Sequence, residues 1–140
     1  MNLRAFLDAN ILFTAAYSPE GLSALLFELR RRRVLELLTS EHTLEEVRVN
    51  LDVKKPEALD RFETMLEFLE LIRAPASPPL VLNLPEDDLL IFAAAVAGRA
   101  THLLTGDKKH FGRYFNKPTE TAGIRVQTVR QFFNQRFTPG

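Results

Sequence analysis

Six acidic residues of this chain stand where apolar segments break off or resume, and their chemistry is the first thing to explain. In "RAFLDANILF", residues 4–13, Asp8 and Asn10 interrupt an apolar run. Glu45 and Glu46 lie in "SEHTLEEVRVNL" at 40–51, Asp87 and Asp88 precede the apolar stretch "LLIFAAAVA", and Asp107 closes "LLTGD". Carboxylates brought together without counter-cations repel one another, so a cluster of them implies a bound hard cation. Mg²⁺ or Mn²⁺ fits, because both take oxygen ligands, keep several waters and bridge protein carboxylates to phosphate oxygens. In a two-metal site the ions stand about 3.5–4 Å apart, one activating a water and the other stabilising the leaving oxygen of a phosphodiester. Asn10, two residues beyond Asp8, has an amide able to orient a ligand or a water.

Each residue also has a purely local explanation. Asp8 is placed to cap the helix that follows it, and on position alone capping and ligation are equally open. Thr43-Leu44-Glu45-Glu46 spells a capping box, which would spend Glu46 on a backbone N–H. Asp87 and Asp88 complement the positive end of a helix, and Asp107 after Thr105-Gly106 suits a turn. His42 and His110 read as surface or packing residues, and His102 as a partly buried strand residue. Arg30 to Arg33 read as the solvated C-terminal end of a helix. None of these explanations accounts for convergence.

Convergence depends on the elements. Leu3 to Leu7 reads as a short apolar strand, followed by a helix over Asn10–Tyr17 that ends before Pro19. Leu22, Leu25, Leu26 and Leu29 form a helical stripe running to about Arg33, and Val34–Leu38 is a buried strand. Thr39 and Ser40 offer caps for a helix carrying Leu44, Val47 and Leu51. Pro56 suits the first turn of another, with Leu59, Phe62, Leu66 and Leu69 on one side. After "RAPASPPL" at 73–80, a loop, the pattern predicts a strand at 80–84, a helix over Glu86–Ala97 stopped by Gly98, and a strand at Thr101–Leu104. A short helix at His110–Phe115, a strand at Ile124–Val126 and a helix at Thr128–Phe137 complete the chain. Such alternation predicts an α/β protein, a three-layer α/β/α sandwich with a central parallel sheet. In a parallel sheet all strand C-termini open on one edge, where ligands bind. Asp8, Glu45 or Glu46, Asp87 or Asp88, and Asp107 all fall at that edge.

The 140 residues, 46% of them hydrophobic, suit one compact domain over 1–140. Eighteen Lys and Arg balance 18 Asp and Glu, so no global charge announces a nucleic acid or a membrane. The distribution is uneven. From Arg99 onward eight bases face only Asp107 and Glu120, a balance of +6, whereas Glu41–Arg73 carries nine acids and five bases, or −4. The absence of cysteine excludes disulfides, thiolate metal sites and a cysteine nucleophile. With no signal-peptide pattern and no long apolar run, the expectation is a soluble, cytoplasmic protein.

"FLDANIL" at 6–12, "SEHTLEEVRVNL" at 40–51 and "DLLIFAAAVAGRATHLLTGDKKHF" at 88–111 resemble the three signature segments of the PIN domain family. Their order, spacing and apolar context match over nearly the whole chain. The first segment and its "YSPEG" turn resemble in particular the PIN proteins assigned as toxins of toxin–antitoxin systems. The resemblance implies a parallel-sheet α/β fold and an Mg²⁺- or Mn²⁺-dependent ribonuclease. Many members are toxins of the VapC kind, held by a small antitoxin, and a homodimer is implied as well. Carried over by residue, it makes Asp8, Glu46, Asp88 and Asp107 the metal-binding and catalytic acids. Asn10 and Thr105 would orient them and the attacking water. Asp87 is the fallback for Asp88, and Glu45 for Glu46.

Two departures stand out. Ala9 replaces a threonine frequent in the family, and Lys108 and Lys109 stand where many members have a further acid. Lys108, Lys109 and Arg113 are the candidates for phosphate contacts with RNA. Two other classes compete: a weak or inactive PIN domain that binds RNA or protein without cutting, and a phosphatase with Asp8 as nucleophile. The latter expects an aspartate at position 10, where this chain has Asn10.

Overall fold

A computed structural model of the chain describes residues 2–73 and 82–137. Strand β1 (Leu3–Leu7) leads into helix α1 (Ala9–Tyr17), and helix α2 (Leu22–Arg31) into β2 (Leu35–Ser40). Helix α3 (Glu41–Lys54), a 3₁₀ turn at Pro56–Ala58 and helix α4 (Leu59–Met65) follow, and a second 3₁₀ turn at Leu66–Phe68 feeds β3 (Leu69–Ile72). Helix α5 (Glu86–Ala97), β4 (His102–Leu104), α6 (Lys108–Phe111), β5 (Arg125–Gln127) and α7 (Val129–Phe137) complete the order.

The five strands form one parallel sheet in the order β3-β2-β1-β4-β5. Successive residues of a strand face opposite sides, and the two sides have separate apolar cores. Ala5 and Leu7 of β1, Leu35 and Leu37 of β2 and Leu104 of β4 pack with α1 to α4 and α7. Phe6, Leu38, Leu103 and Val126 point the other way, against Ile91, Phe92, Ala94 and Ala95 of α5 and Phe111 of α6. The expected three-layer arrangement is therefore present. Because β1 has β2 on one side and β4 on the other, strand order reverses between β1 and β4, the position where such sheets bind ligands.

Four local expectations change. The helix after Pro56 stops at Met65. Leu69 starts an edge strand paired with β2 in the register Leu37↔Leu69 to Ser40↔Ile72. A 3₁₀ turn preserves a spacing of three, so the apolar pattern ran through the boundary unbroken. The proline-rich segment beyond Arg73, and Leu80 and Val81 of the expected 80–84 strand, lie outside the described residues, while Leu82–Leu84 is irregular. Helix α3 is capped by Ser40, whose Oγ accepts the Thr43 N–H at 3.2 Å, so Thr43 lies inside the first turn and Glu46 is in no capping box. Gly98 is not the left-handed terminator of α5. It has φ −82°, and Arg99 at φ 55° takes that role. Arg99 N–H donates to Val96 O and Ala100 N–H to Ala95 O, the paired bonds of a Schellman ending.

Candidate active site

Asp8 is where the site begins. Its N–H extends the sheet by one bond to Leu104 O at 3.1 Å, and its extended backbone then turns into α1. The Oδ1 atom accepts the Ala9 N–H at 2.7 Å, so the residue does cap the helix. The Oδ2 atom accepts the Thr105 hydroxyl at 2.8 Å and, more weakly, the Asn10 amide at 3.4 Å. Capping and site membership thus use different oxygens of one side chain that is 5% exposed. Burial pushes the Asp8 carboxyl above its usual range against the pull of these hydrogen bonds, and the nearby Asp107 charge adds to the rise.

Thr105 and Asn10 tie the loop after β4 to the end of β1. Thr105 is fully buried; its Oγ1 donates to Asp8 and accepts the Asp107 N–H at 3.1 Å. One hydroxyl therefore fixes the relative positions of two acids 99 residues apart in sequence. Asn10 Oδ1 accepts the Gly106 N–H at 2.7 Å, and a Cβ at position 106 would lie a tight 3.2 Å from that oxygen. Asn10 is thus bonded to the Gly106 backbone and to Asp8.

Asp107 caps α6. Its Oδ1 accepts the His110 N–H at 3.0 Å and its Oδ2 faces His110 Nδ1 at 2.7 Å. Burial would raise this carboxyl, but the two His110 bonds and the His110 charge outweigh it and hold the group below its usual range. Asp88, in the first turn of α5, brings Oδ2 to 3.3 Å from the same Nδ1. Its pKa rises to about 6 through burial first, then the Asp107 and Asp8 charges, with His110 opposing.

Glu46 is exposed at the rim. Burial of its carboxyl and the Asp8 charge push it upward, with His42 opposing and Asp87 adding to the rise, so it senses the acids. Glu45 lies 3.5 Å from Arg48, which also pairs with Glu63 at 3.1 Å. Asp87 is exposed, whereas Asp88 is half-buried and faces His110.

The place of His110 between two acids is what sequence reasoning did not supply. Half-exposed as a surface histidine would be, His110 also faces two acids, and Asp88, Asp107 and His110 each offer a ligand atom within 4.8 Å of the others. The signal was available: once Asp107 is read as an N-cap, the residue three positions on is the one that faces it. Lys109, His110 and Arg113 line a groove of 480 Å³ with Asn83, Leu84 and Pro85, while the exposed Lys108 is not part of its wall.

Among the described residues no lysine or arginine pairs with Asp8, Asp88 or Asp107; His110 alone faces the last two. Mutually repelling oxygen donors, buried or half-buried and without a lysine or arginine partner among the described residues, fit a divalent metal ion.

A PIN domain model matches residues 4–109, and the chain belongs to the PIN domain family, whose members are in general nucleases that use divalent metals. Its fold is similar to that of VapBC2 from Rickettsia felis bound to a DNA fragment from its promoter, with a TM-score of 0.63, 20% identity and coverage of 90% of this chain and 98% of that one. VapBC-1 from nontypeable Haemophilus influenzae gives a TM-score of 0.59 at 16% identity over 91% and 99% of the two chains. PAE2754 from Pyrobaculum aerophilum gives 0.51 at 16% over 96% and 97%. No curated protein matches the chain in sequence. Among the described residues, no helix is long and apolar enough to cross a membrane.

Proposed function

We propose that the chain is a metal-dependent endoribonuclease that hydrolyses RNA phosphodiester bonds, and the toxin half of a type II toxin–antitoxin pair. The observation that carries this reading is the gathering of Asp8, Asp88 and Asp107 at the switch point, with Glu46 at the rim and, among the described residues, no lysine or arginine paired with Asp8, Asp88 or Asp107. In the proposal these four acids hold Mg²⁺ or Mn²⁺. The ion, when bound, supplies charge to the phosphate oxygens and lowers the pKa of a water.

The chain's own residues do the rest. Asp8 is locked in orientation by Ala9 and Thr105. Thr105 transmits that position to Asp107, and Asn10 keeps the β4 loop against α1. Thr105 and Asn10 serve as positioning residues, their polar atoms being committed to protein partners. Lys109 and Arg113, in the groove beside His110, and Lys108 on the same short helix contact the RNA backbone. The solved relatives named VapBC support a small antitoxin as partner, and a homodimer and a cytoplasmic location follow from the same family reading.

The test is cleavage of single-stranded RNA with Mn²⁺ or Mg²⁺, with and without chelator, beside Asp8→Asn. Cleavage abolished by both supports the reading, and cleavage that survives the chelator overturns it. RNA binding without cleavage in the unmodified protein favours a binding module instead.

A further inference from the structure

His110 has more to do than hold Asp107. The backbone N–H of His110 already fixes Asp107 through Oδ1 at 3.0 Å, so the ring is not needed for that purpose. The imidazole instead turns Nδ1 to a point shared by two acids, 2.7 Å from Asp107 Oδ2 and 3.3 Å from Asp88 Oδ2. Neighbouring ligands of an octahedral ion with bonds of about 2.1 Å stand about 3 Å apart. Both separations bracket that edge. Three donor atoms, from the start of α5 and from α6 with its cap, thus lie within 4.8 Å of one another, with His110 Nδ1 at ligand spacing from each carboxylate.

Resting on the metal-centre reading above, we propose that His110 ligates the divalent ion through Nδ1. Asp88, Asp107 and His110 then form a mixed nitrogen–oxygen site that prefers first-row transition ions such as Mn²⁺ over Mg²⁺. The preference follows from ligand chemistry. An imidazole nitrogen suits transition ions, whereas Mg²⁺ favours an all-oxygen shell. The chain has no acid at positions 108 and 109, so His110 is the donor that the short helix α6 contributes beyond its own cap.

The alternative is a histidine that only donates a hydrogen bond to a ligating carboxylate. Binding of Mn²⁺ and Mg²⁺ by titration calorimetry separates the two, on tag-free protein, its His110→Asn variant and Asp107→Asn. Pulsed paramagnetic resonance of the bound Mn²⁺ accompanies it. The expected result is a ¹⁴N coupling to Mn²⁺ in the unmodified protein that vanishes in His110→Asn. Mn²⁺ affinity falls by about tenfold or more while Mg²⁺ affinity stays close to its original value. A Mn²⁺ signal without nitrogen coupling in the unmodified protein, or coupling and preference that persist in His110→Asn, overturns the proposal and leaves the metal centre standing. Failure of Mn²⁺ to bind at all, or equal binding to Asp107→Asn, overturns the metal-centre reading itself. The resonance measurement on the unmodified protein holds even if a variant fails to fold.

Discussion

At the residue scale, Asp88 and Thr105 show how a site is held at the expense of the fold. Asp88 is a carboxylate pushed to about 6 by burial and by the Asp107 and Asp8 charges, so at neutral pH its ionised form opposes folding. Replacing it by asparagine removes that repulsion. Metal-free Asp88→Asn is expected to be more stable than the parent by about 1–2 kcal/mol at pH 7.5 while losing metal binding, as chemical denaturation and calorimetry would show. A less stable variant would mean the acids do not repel as inferred. Thr105 tests the opposite logic, since its hydroxyl touches two acids and stands in for no ligand. Thr105→Val leaves the Asp107 N–H and an Asp8 lone pair without their partner, at about 1–3 kcal/mol. Metal affinity falls with it, and Thr105→Ser restores both. Unchanged stability and affinity in Thr105→Val would remove it from the site.

Among the elements, the ends of helices α2 and α5 are where backbone geometry and residue type disagree. Both close with Schellman bonds, and in both the left-handed position belongs to an arginine, Arg33 at φ 59° and Arg99 at φ 55°. A side chain there carries a steric penalty that glycine lacks. Arg99→Gly is therefore expected to stabilise the protein by about 1 kcal/mol, read as a raised denaturation midpoint. Gly98, one residue earlier, is there for space. A Cβ at that position would meet Ile72 Cγ1 at 2.8 Å and Leu38 Cδ1 at 3.3 Å, where α5 crosses β3 and β2. Gly98→Ala is expected to destabilise by about 1–3 kcal/mol through overpacking. The two substitutions, side by side on one helix end, should thus have opposite signs. Gly98 O also accepts two bonds from Arg4, whose guanidinium further pairs with Glu36 and Glu70 at 2.8 Å each. That arrangement spans three strands at the edge away from the site.

For the whole molecule, pH reports a buried histidine and a half-buried acid that pull in opposite directions. His102 packs edge-on against Phe132 with ring centroids 5.1 Å apart. Burial, with Arg136 and Arg125 nearby, holds its pKa down to about 4. A base with a depressed folded pKa contributes full stability above about 6.5 and loses it progressively as pH falls to 4. The loss reaches about 3 kcal/mol. Asp88, raised in the fold, works the other way, and protonation below about 6 relieves its repulsion. The parent protein should therefore have a shallow stability profile between pH 6.5 and 4. In His102→Gln, stability should rise as pH falls from 7 toward 5, and in Asp88→Asn it should fall. Identical profiles for the two variants would refute the opposition. Added Mn²⁺ should raise the unfolding temperature of the parent and leave that of Asp88→Asn unchanged, because an ion bound only by the folded state stabilises by mass action.

Much of this molecule is legible in its sequence because the signals are local. Apolar runs such as Leu3–Leu7, stripes such as Leu44, Val47 and Leu51, and the alternation of the two are enough for a parallel α/β sandwich and for the sheet edge where the acids stand. Boundaries were legible only where a capping residue or a proline marked them. At Leu66–Leu69, by contrast, a helix-like spacing runs on into a strand because pairing with β2 overrides it. The choices within the site belong to tertiary structure alone. Asp8 bonded to Thr105, Asp88 rather than Asp87 beside His110, and Thr105 bridging Asp8 to Asp107 are relations between segments brought together by strand order. Sequence spacing encodes which face a side chain takes along its own element. Which neighbour it meets across the switch point is set by the β1–β4 pairing, which no local pattern carries.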